Sequence, residues 1–251
     1  MGKGKNQVST ALERFADKVV IVTGAASGIG KATVERLASE GAIAVAADVA
    51  PLADLGLPAM VVQTDVSDPG AVQSLIDATV AEHGRIDVLC NVAGILRFHN
   101  FADITLEVWN HIIGVNLTGT FLMCQAAMPH LLQSGGNIVN MSSTAALAGH
   151  PWAVAYAASK GGILALSQSL AIEFGRQGVR TNIIAPGSID TPITNEFFFP
   201  EGADKSLLYR TMALDKARGP EYIASVIAFV ASDDGAHMNG SVLRADGGTL
   251  S

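Results

Sequence analysis

Tyr156 and Lys160 stand four residues apart in the segment AYAASKGG, residues 155–162. Lys160 is the only Asp, Glu, Lys or Arg among the 65 residues from Val108 to Ile172. On a helix, side chains at i and i+4 share a face, with Cβ atoms about 6 Å apart. Burial disfavours a lone ammonium, so an apolar run that keeps one asks for a use. A phenol ionises at a pH of about 10 and is a poor base at neutral pH. At ~4 Å and an effective dielectric of ~20, a cation favours the phenolate by about 4 kcal/mol before desolvation is subtracted. The spacing therefore predicts a tyrosine brought into range for proton transfer, with lysine N–H groups left over for a ligand hydroxyl. Ser143, 13 residues before Tyr156 at the end of a predicted strand, can share the same substrate oxygen. A Tyr/Lys pair on an ordinary surface helix has the same spacing. The pair gains weight from the absence of other charge and from a second motif upstream.

That motif is TGAASGIG, residues 23–30, between a predicted strand and a predicted helix. Gly24, Gly28 and Gly30 let the backbone turn tightly and approach a pyrophosphate, with Ser27 and Ile29 between them. The helix start behind them supplies unpaired N–H groups and a positive dipole end. The order is G-x-x-x-G-x-G rather than the G-x-G-x-x-G of the dinucleotide fingerprint. Asp48 ends the second predicted strand, 18 residues past Gly30. A carboxylate there accepts ribose hydroxyls and repels a 2′-phosphate, so NAD is expected over NADP. Asp65, followed by Val66, either reaches the adenine amino group or caps the next helix, since DVSDP is a good cap sequence. Asn91, Ala93 and Gly94 end the fourth strand. Small residues there either let a ribose lie against the backbone or simply form a tight strand exit.

The elements that must carry these residues alternate. Short β-branched runs at 18–24, 42–48, 60–65, 86–94, 137–143, 179–187 and 241–248 read as strands. Helical periodicity fills 31–41, 71–84, 105–133, 153–175 and 220–232. About seven strands separated by helices imply a doubly wound parallel sheet with helices on both faces. No linker divides residues 1–251, so one domain is expected, with residues 1–16 as a mobile lead-in. The segment 191–218 breaks the rhythm and is long for a connection, as lids and binding loops are.

Composition narrows the function classes. A net charge of −7 gives no basic face for nucleic acid. Cys90 and Cys124 show no metal or disulfide spacing, and no metal site is expected. The polar N-terminus lacks an apolar signal core. Prolines, glycines and amides interrupt the charge-free stretch, which does not read as a membrane span. A cytoplasmic protein is expected.

Taken together, TGAASGIG, NVAG, Asn116, Ser143, YAASK and PGSIDTP resemble the short-chain dehydrogenase/reductase family, in order and spacing from Lys18 to Gly248. The resemblance implies a Rossmann-type fold with strand order 3-2-1-4-5-6-7. It implies Tyr156 as general acid/base and Lys160 as the residue that lowers its pKa and binds the nicotinamide ribose. Ser143 would polarise the substrate oxygen, and Asn116 would hold a water in a proton relay. Pro186, Gly187, Ile189 and Thr191 match positions that hold the carboxamide. Two departures stand out. NVAG replaces the usual NNAG, and the connection from Asp48 to Met60 is short and contains proline.

Around the predicted chemistry lie Leu96, Phe98 and His99, then Ala145, His150 and Trp152. The 191–218 segment adds Phe197, Phe198, Phe199, Tyr209 and Met212. This apolar, aromatic set suggests an apolar or cyclic secondary alcohol or ketone. Packing of a lid or subunit explains the Phe triplet equally well. A helix with almost no charge from Val108 to Gln133 has no fully solvated face, so a homotetramer is expected. The expected activity is NAD(H)-dependent interconversion of a secondary alcohol and a ketone. The alternatives are an NADPH-dependent 3-oxoacyl-thioester reductase and a non-catalytic nucleotide-binding sensor.

Overall fold

Buried β-branched residues build the centre of the sheet. In the computed structural model, which describes residues 13–52, 59–195, 199–214 and 216–251, β1 (Val19–Thr23) reads VVIVT and is buried along its whole length. Six strands join it: β2 (Ile43–Asp48), β3 (Ala59–Gln63), β4 (Val88–Asn91), β5 (Asn137–Met141), β6 (Arg180–Pro186) and β7 (Val242–Ala245). All pairings are parallel, in the order β3-β2-β1-β4-β5-β6-β7. Central strands covered on both faces read as continuous apolar runs, while β3 and β7 at the edges alternate with exposed residues.

Helices α1 (Gly28–Ser39) and α7 (Pro220–Ala231) pack together on one face. Their core holds Val34, Leu37, Ile223 and Ile227. Fully burying one such side chain stabilises the fold by about 1.5–3 kcal/mol. Helices α2 (Pro69–His83), α3 (Leu106–Ile113), α4 (Gly119–Ser134) and α5 (Val154–Phe174) lie on the other face. Asp68 caps α2 by accepting from Gly70 N, and Gly84 ends it in the left-handed conformation.

Three features differ from the sequence reading. The helix expected over 105–133 is continuous but carries a π turn at Gly114–Thr118 between α3 and α4. Pro129 sits inside α4 without ending it. Leu106–Ser134 is the one helical run among the described residues long and apolar enough to cross a membrane. Here α4 packs on β4, β5 and α2, with Met123, Cys124, Ala127 and Leu131 in the core. The segment 191–218 is not bare loop: it contains α6 (Pro192–Asn195) and a 3-10 turn, Lys205–Thr211. Residues 13–16 belong to the fold rather than to a lead-in. Phe15 is 1% exposed in the core, and Arg14 grips Glu40 through two hydrogen bonds of 2.6 and 2.8 Å. Burial of one aromatic ring outweighs the polar character of its neighbours.

Candidate active site

In an open parallel sheet, ligands bind beyond the carboxyl ends of the strands, where the strand order turns. Here that point lies between β1 and β4. A cavity of about 710 Å³ opens there. It runs from the turn after β1 past Asp48 and the ends of β4, β5 and β6 to residues of the 191–218 segment.

The turn after β1 is shaped for close approach. A Cβ on Gly30 would fall 1.9 Å from Gly24 O, and one on Gly24 would lie 2.8 Å from Ala93 Cα. Gly24 also has φ +69°, which favours glycine. Ser27 precedes α1 without donating or accepting a side-chain cap, so its first-turn N–H groups are left for an anion. Thr23 Oγ1 accepts from Val92 N and Ala93 N, both at 3.1 Å, and holds the β4 exit against the turn. Asp48 is fixed by two backbone donors. Its Oδ2 accepts from Ala26 N and its Oδ1 from Ala50 N, each at 2.9 Å. The phosphate turn thus orients the carboxylate. This cradle fits a dinucleotide.

Asp65 is exposed on the cavity rim, and its Oδ1 accepts from Ser67 N and Ser67 Oγ. It does not cap α2, because Asp68 does. Val66, Ala93, Gly94, Pro186, Gly187, Ile189 and Thr191 also line the cavity. Asn91 does not. It is 3% exposed, and its Nδ2 donates to Asn140 Oδ1 at 2.9 Å and to Cys124 Sγ at 3.3 Å. Asn91 is the last residue of β4 and turns into the core, whereas Ala93 and Gly94 follow the strand's end and line the site.

Lys160 is held at the end of β5. Its Nζ donates to Met141 O at 2.8 Å, and Ser142 Oγ donates to Lys160 O at 2.9 Å. The ammonium lies 5.6 Å from the Tyr156 ring centroid. Lys160 is 3% exposed, and burial pushes its pKa down to about 8. Tyr156 goes the other way. Burial raises its phenol, and the hydrogen bond with Ser143 only partly opposes this. Lys160 is not among the groups that set the phenol here, since its ammonium faces the ring and a carbonyl. Ser143 Oγ also accepts from Ala145 N at 3.1 Å, which fixes the hydroxyl.

Asn116 sits in the π turn, where an extra residue turns its side chain inward. It is fully buried and does not line the cavity. Its Oδ1 accepts from Ile95 N at 2.8 Å, and its Nδ2 donates to Ile95 O and Ser159 Oγ, both at 3.0 Å. These bonds lock the strand exit rather than leave the amide for a water. A Cβ on Gly94 would meet Asn116 Oδ1 at 3.2 Å and Lys160 Nζ at 3.3 Å.

The substrate side is aromatic. Phe98 stacks on His150 at 5.7 Å and on Phe199 at 5.3 Å, and all three line the cavity with Leu96 and Met212. Trp152 does not reach it; its ring meets Phe199 edge-on at 5.9 Å, and its carbonyl accepts from His99 N. Trp152 has φ +58°, a strained value for a bulky residue. Phe197, Phe198 and the Tyr209 side chain lie outside the described residues. The sequence reading did not single out Val49, Thr64, His111 and Leu208, which also line the cavity. Val49 and Thr64 directly follow strand ends, a signal that was legible. His111 and Leu208 arrive from distant segments and leave no local trace.

A family model described as enoyl-(acyl carrier protein) reductase, adh_short_C2, matches residues 24–249. The chain belongs to the short-chain dehydrogenase/reductase family. Among its relatives in that family, 3-oxoacyl-(acyl-carrier-protein) reductase FabG of Thermotoga maritima is 39% identical over 247 residues, covering 94% of this chain and 99% of the relative. Meso-2,3-butanediol dehydrogenase of Serratia marcescens is 39% identical over 242 residues, covering 94% and 95%. The ligand-free structure of Thermoplasma acidophilum aldohexose dehydrogenase superposes with a TM-score of 0.83 at 31% identity, covering 95% of each chain. The chain is thus an oxidoreductase of a family that uses nicotinamide cofactors.

Proposed function

We propose that this protein is an NAD(H)-dependent dehydrogenase that interconverts a secondary alcohol and a ketone. The observation that carries the reading is that Ser143, Tyr156 and the buried Lys160 meet in one cavity with the Asp48-braced turn. The cofactor supplies the hydride acceptor or donor. Gly24, Gly28 and the α1 N-terminus would hold its phosphates, and Asp48 its adenosine ribose. Ser143 holds the substrate oxygen, and Tyr156 passes the proton to or from it. Because its phenol is raised, Tyr156 is protonated at neutral pH, the form that donates to a carbonyl. Lys160 brings positive charge and spare N–H donors to the same floor.

The Asp48 carboxylate supports NAD over NADP, since it would lie against a 2′-phosphate. The Thermotoga relative favours a second reading, NADPH-dependent reduction of an oxoacyl thioester. Against it stand Asp48 and the aromatic cavity wall. The test is absorbance at 340 nm with NAD and NADP over a panel of secondary alcohols. Turnover with NAD, and a preference that narrows about tenfold or more in Asp48→Ala, is the expected result. A preference unchanged in that variant would remove Asp48 from cofactor choice.

We further propose a homotetramer built through α4 and α5. Phe121 and Ile172 are exposed on these helices, 42% and 85%, and the one charge between Val108 and Ile172 is the buried Lys160. A monomeric sedimentation mass at micromolar concentration would refute it.

A further inference from the structure

Two histidines, His111 and His150, line the cavity, and His150 sits in a stack of flat apolar rings. His150 stacks on Phe98 with an interplanar angle of 16°, and Phe98 in turn stacks on Phe199 at 20°. His150 Nδ1 lies 3.2 Å from Pro151 O. A carbonyl oxygen only accepts, so Nδ1 carries the hydrogen. Burial pushes the ring's pKa down, more than the Pro151 carbonyl raises it, so the ring is neutral at neutral pH. Nε2 then presents a lone pair and no hydrogen. Among the described residues no donor is paired with it, and His150 lines the same cavity as Ser143 and Tyr156.

An acceptor in an apolar wall discriminates by hydrogen-bond sign. A hydroxyl can donate to it. A ketone, a thioester or a carboxylate brings only lone pairs and would face Nε2 unpaired, which costs binding. A simple alcohol leaves Nε2 unpaired once water is displaced. We infer that His150 is a specificity residue whose Nε2 accepts a hydrogen bond from a second hydroxyl of the substrate. The enzyme then prefers diols and hydroxy ketones to simple alcohols and to oxoacyl thioesters. The inference rests on the dehydrogenase reading above.

The test compares cyclohexanol with 1,2-cyclohexanediol in the NAD-driven reaction, for the wild type, His150→Phe and His150→Gln. Phe keeps a flat ring against Phe98 and removes the acceptor; Gln restores one. The wild type is expected to favour the diol by about tenfold in kcat/KM, mostly through KM. His150→Phe should bring that ratio close to one. His150→Gln should recover part of the preference, and it serves alone if the Phe protein does not fold. A wild type indifferent to the second hydroxyl, or a His150→Phe protein that keeps the preference, overturns the inference and leaves the dehydrogenase reading intact. If neither alcohol is oxidised by protein that binds NADH, the dehydrogenase reading itself fails and takes the inference with it.

Discussion

Glu40 and Lys160 are nearly equally buried, 4% and 3% exposed, yet their surroundings differ in kind. Glu40 receives Arg14 through Nε and Nη2 and Arg36 through Nε, at 2.6, 2.8 and 2.5 Å. Burial pushes its carboxyl up, but the two guanidiniums outweigh this and hold it below the usual carboxylate range. Arg14 also reaches Asp234, so the cluster ties residue 14 to the ends of α1 and α7. Among the described residues Lys160 has no acidic partner. It has one carbonyl, and its pKa falls. An ion cluster that satisfies itself holds a fold together; a cation left uncompensated is kept for a ligand.

The sharpest way to break this contrast is at the hydroxyl beside the lysine. Tyr156→Phe is expected to lower turnover by about 100-fold to 10,000-fold, with thermal unfolding unchanged. Near-normal turnover would mean that the uncompensated charge serves something other than proton transfer. Lys160→Met should lose about 100-fold in turnover and gain stability. The folded pKa of about 8 lies below the ordinary 10.5. Between them the unfolded chain binds more protons, so stability rises with pH across that window. Below it the full penalty applies, about 3 kcal/mol. Calorimetry at pH 7 and pH 10 should show this rise in the wild type and its loss in Lys160→Met. A variant less stable at pH 7 would show that Lys160 is structural after all.

The raised phenol gives a pH prediction with a sign. Oxidation needs the tyrosinate, so kcat/KM for an alcohol should climb up to about tenfold per pH unit below the tyrosine pKa. Reduction needs the phenol and should stay flat over the same range. A plateau in oxidation at neutral pH would mean that a bound ligand, rather than the protein, lowers Tyr156. At the other site the effect is smaller and purely on stability. Glu40→Gln should cost about 2 kcal/mol, a few degrees in Tm, with kcat unchanged. In the wild type the Glu40 contribution is present above the ordinary carboxylate pKa and is lost as pH falls through the depressed one. A Glu40→Gln protein of wild-type stability would show that the cluster contributes nothing net.

The positions of the strands were legible because a buried parallel strand is written in consecutive residues such as VVIVT. The cap sequence DVSDP before α2 was legible too, although Asp68 rather than Asp65 takes the cap. Asp48, Ser143 and the phosphate turn stood out because each closes or follows a strand. Asn91 and Asn116 were read as site residues from the company they keep. Their side chains are instead committed to Asn140 and to Ile95, partners 49 and 21 residues away. No local pattern announces such a bond.

By itself the sequence determined the alternation of strands and helices, the glycine turn and the i, i+4 placement of Tyr156 and Lys160. These depend on backbone period and nearest neighbours, which a linear chain already contains. Only the tertiary structure decided that Phe15 joins the core and that Phe199 closes on Phe98. It alone decided that the phenol is raised rather than lowered. Burial and long-range partners set those outcomes, and both come into being only when distant segments pack and exclude water.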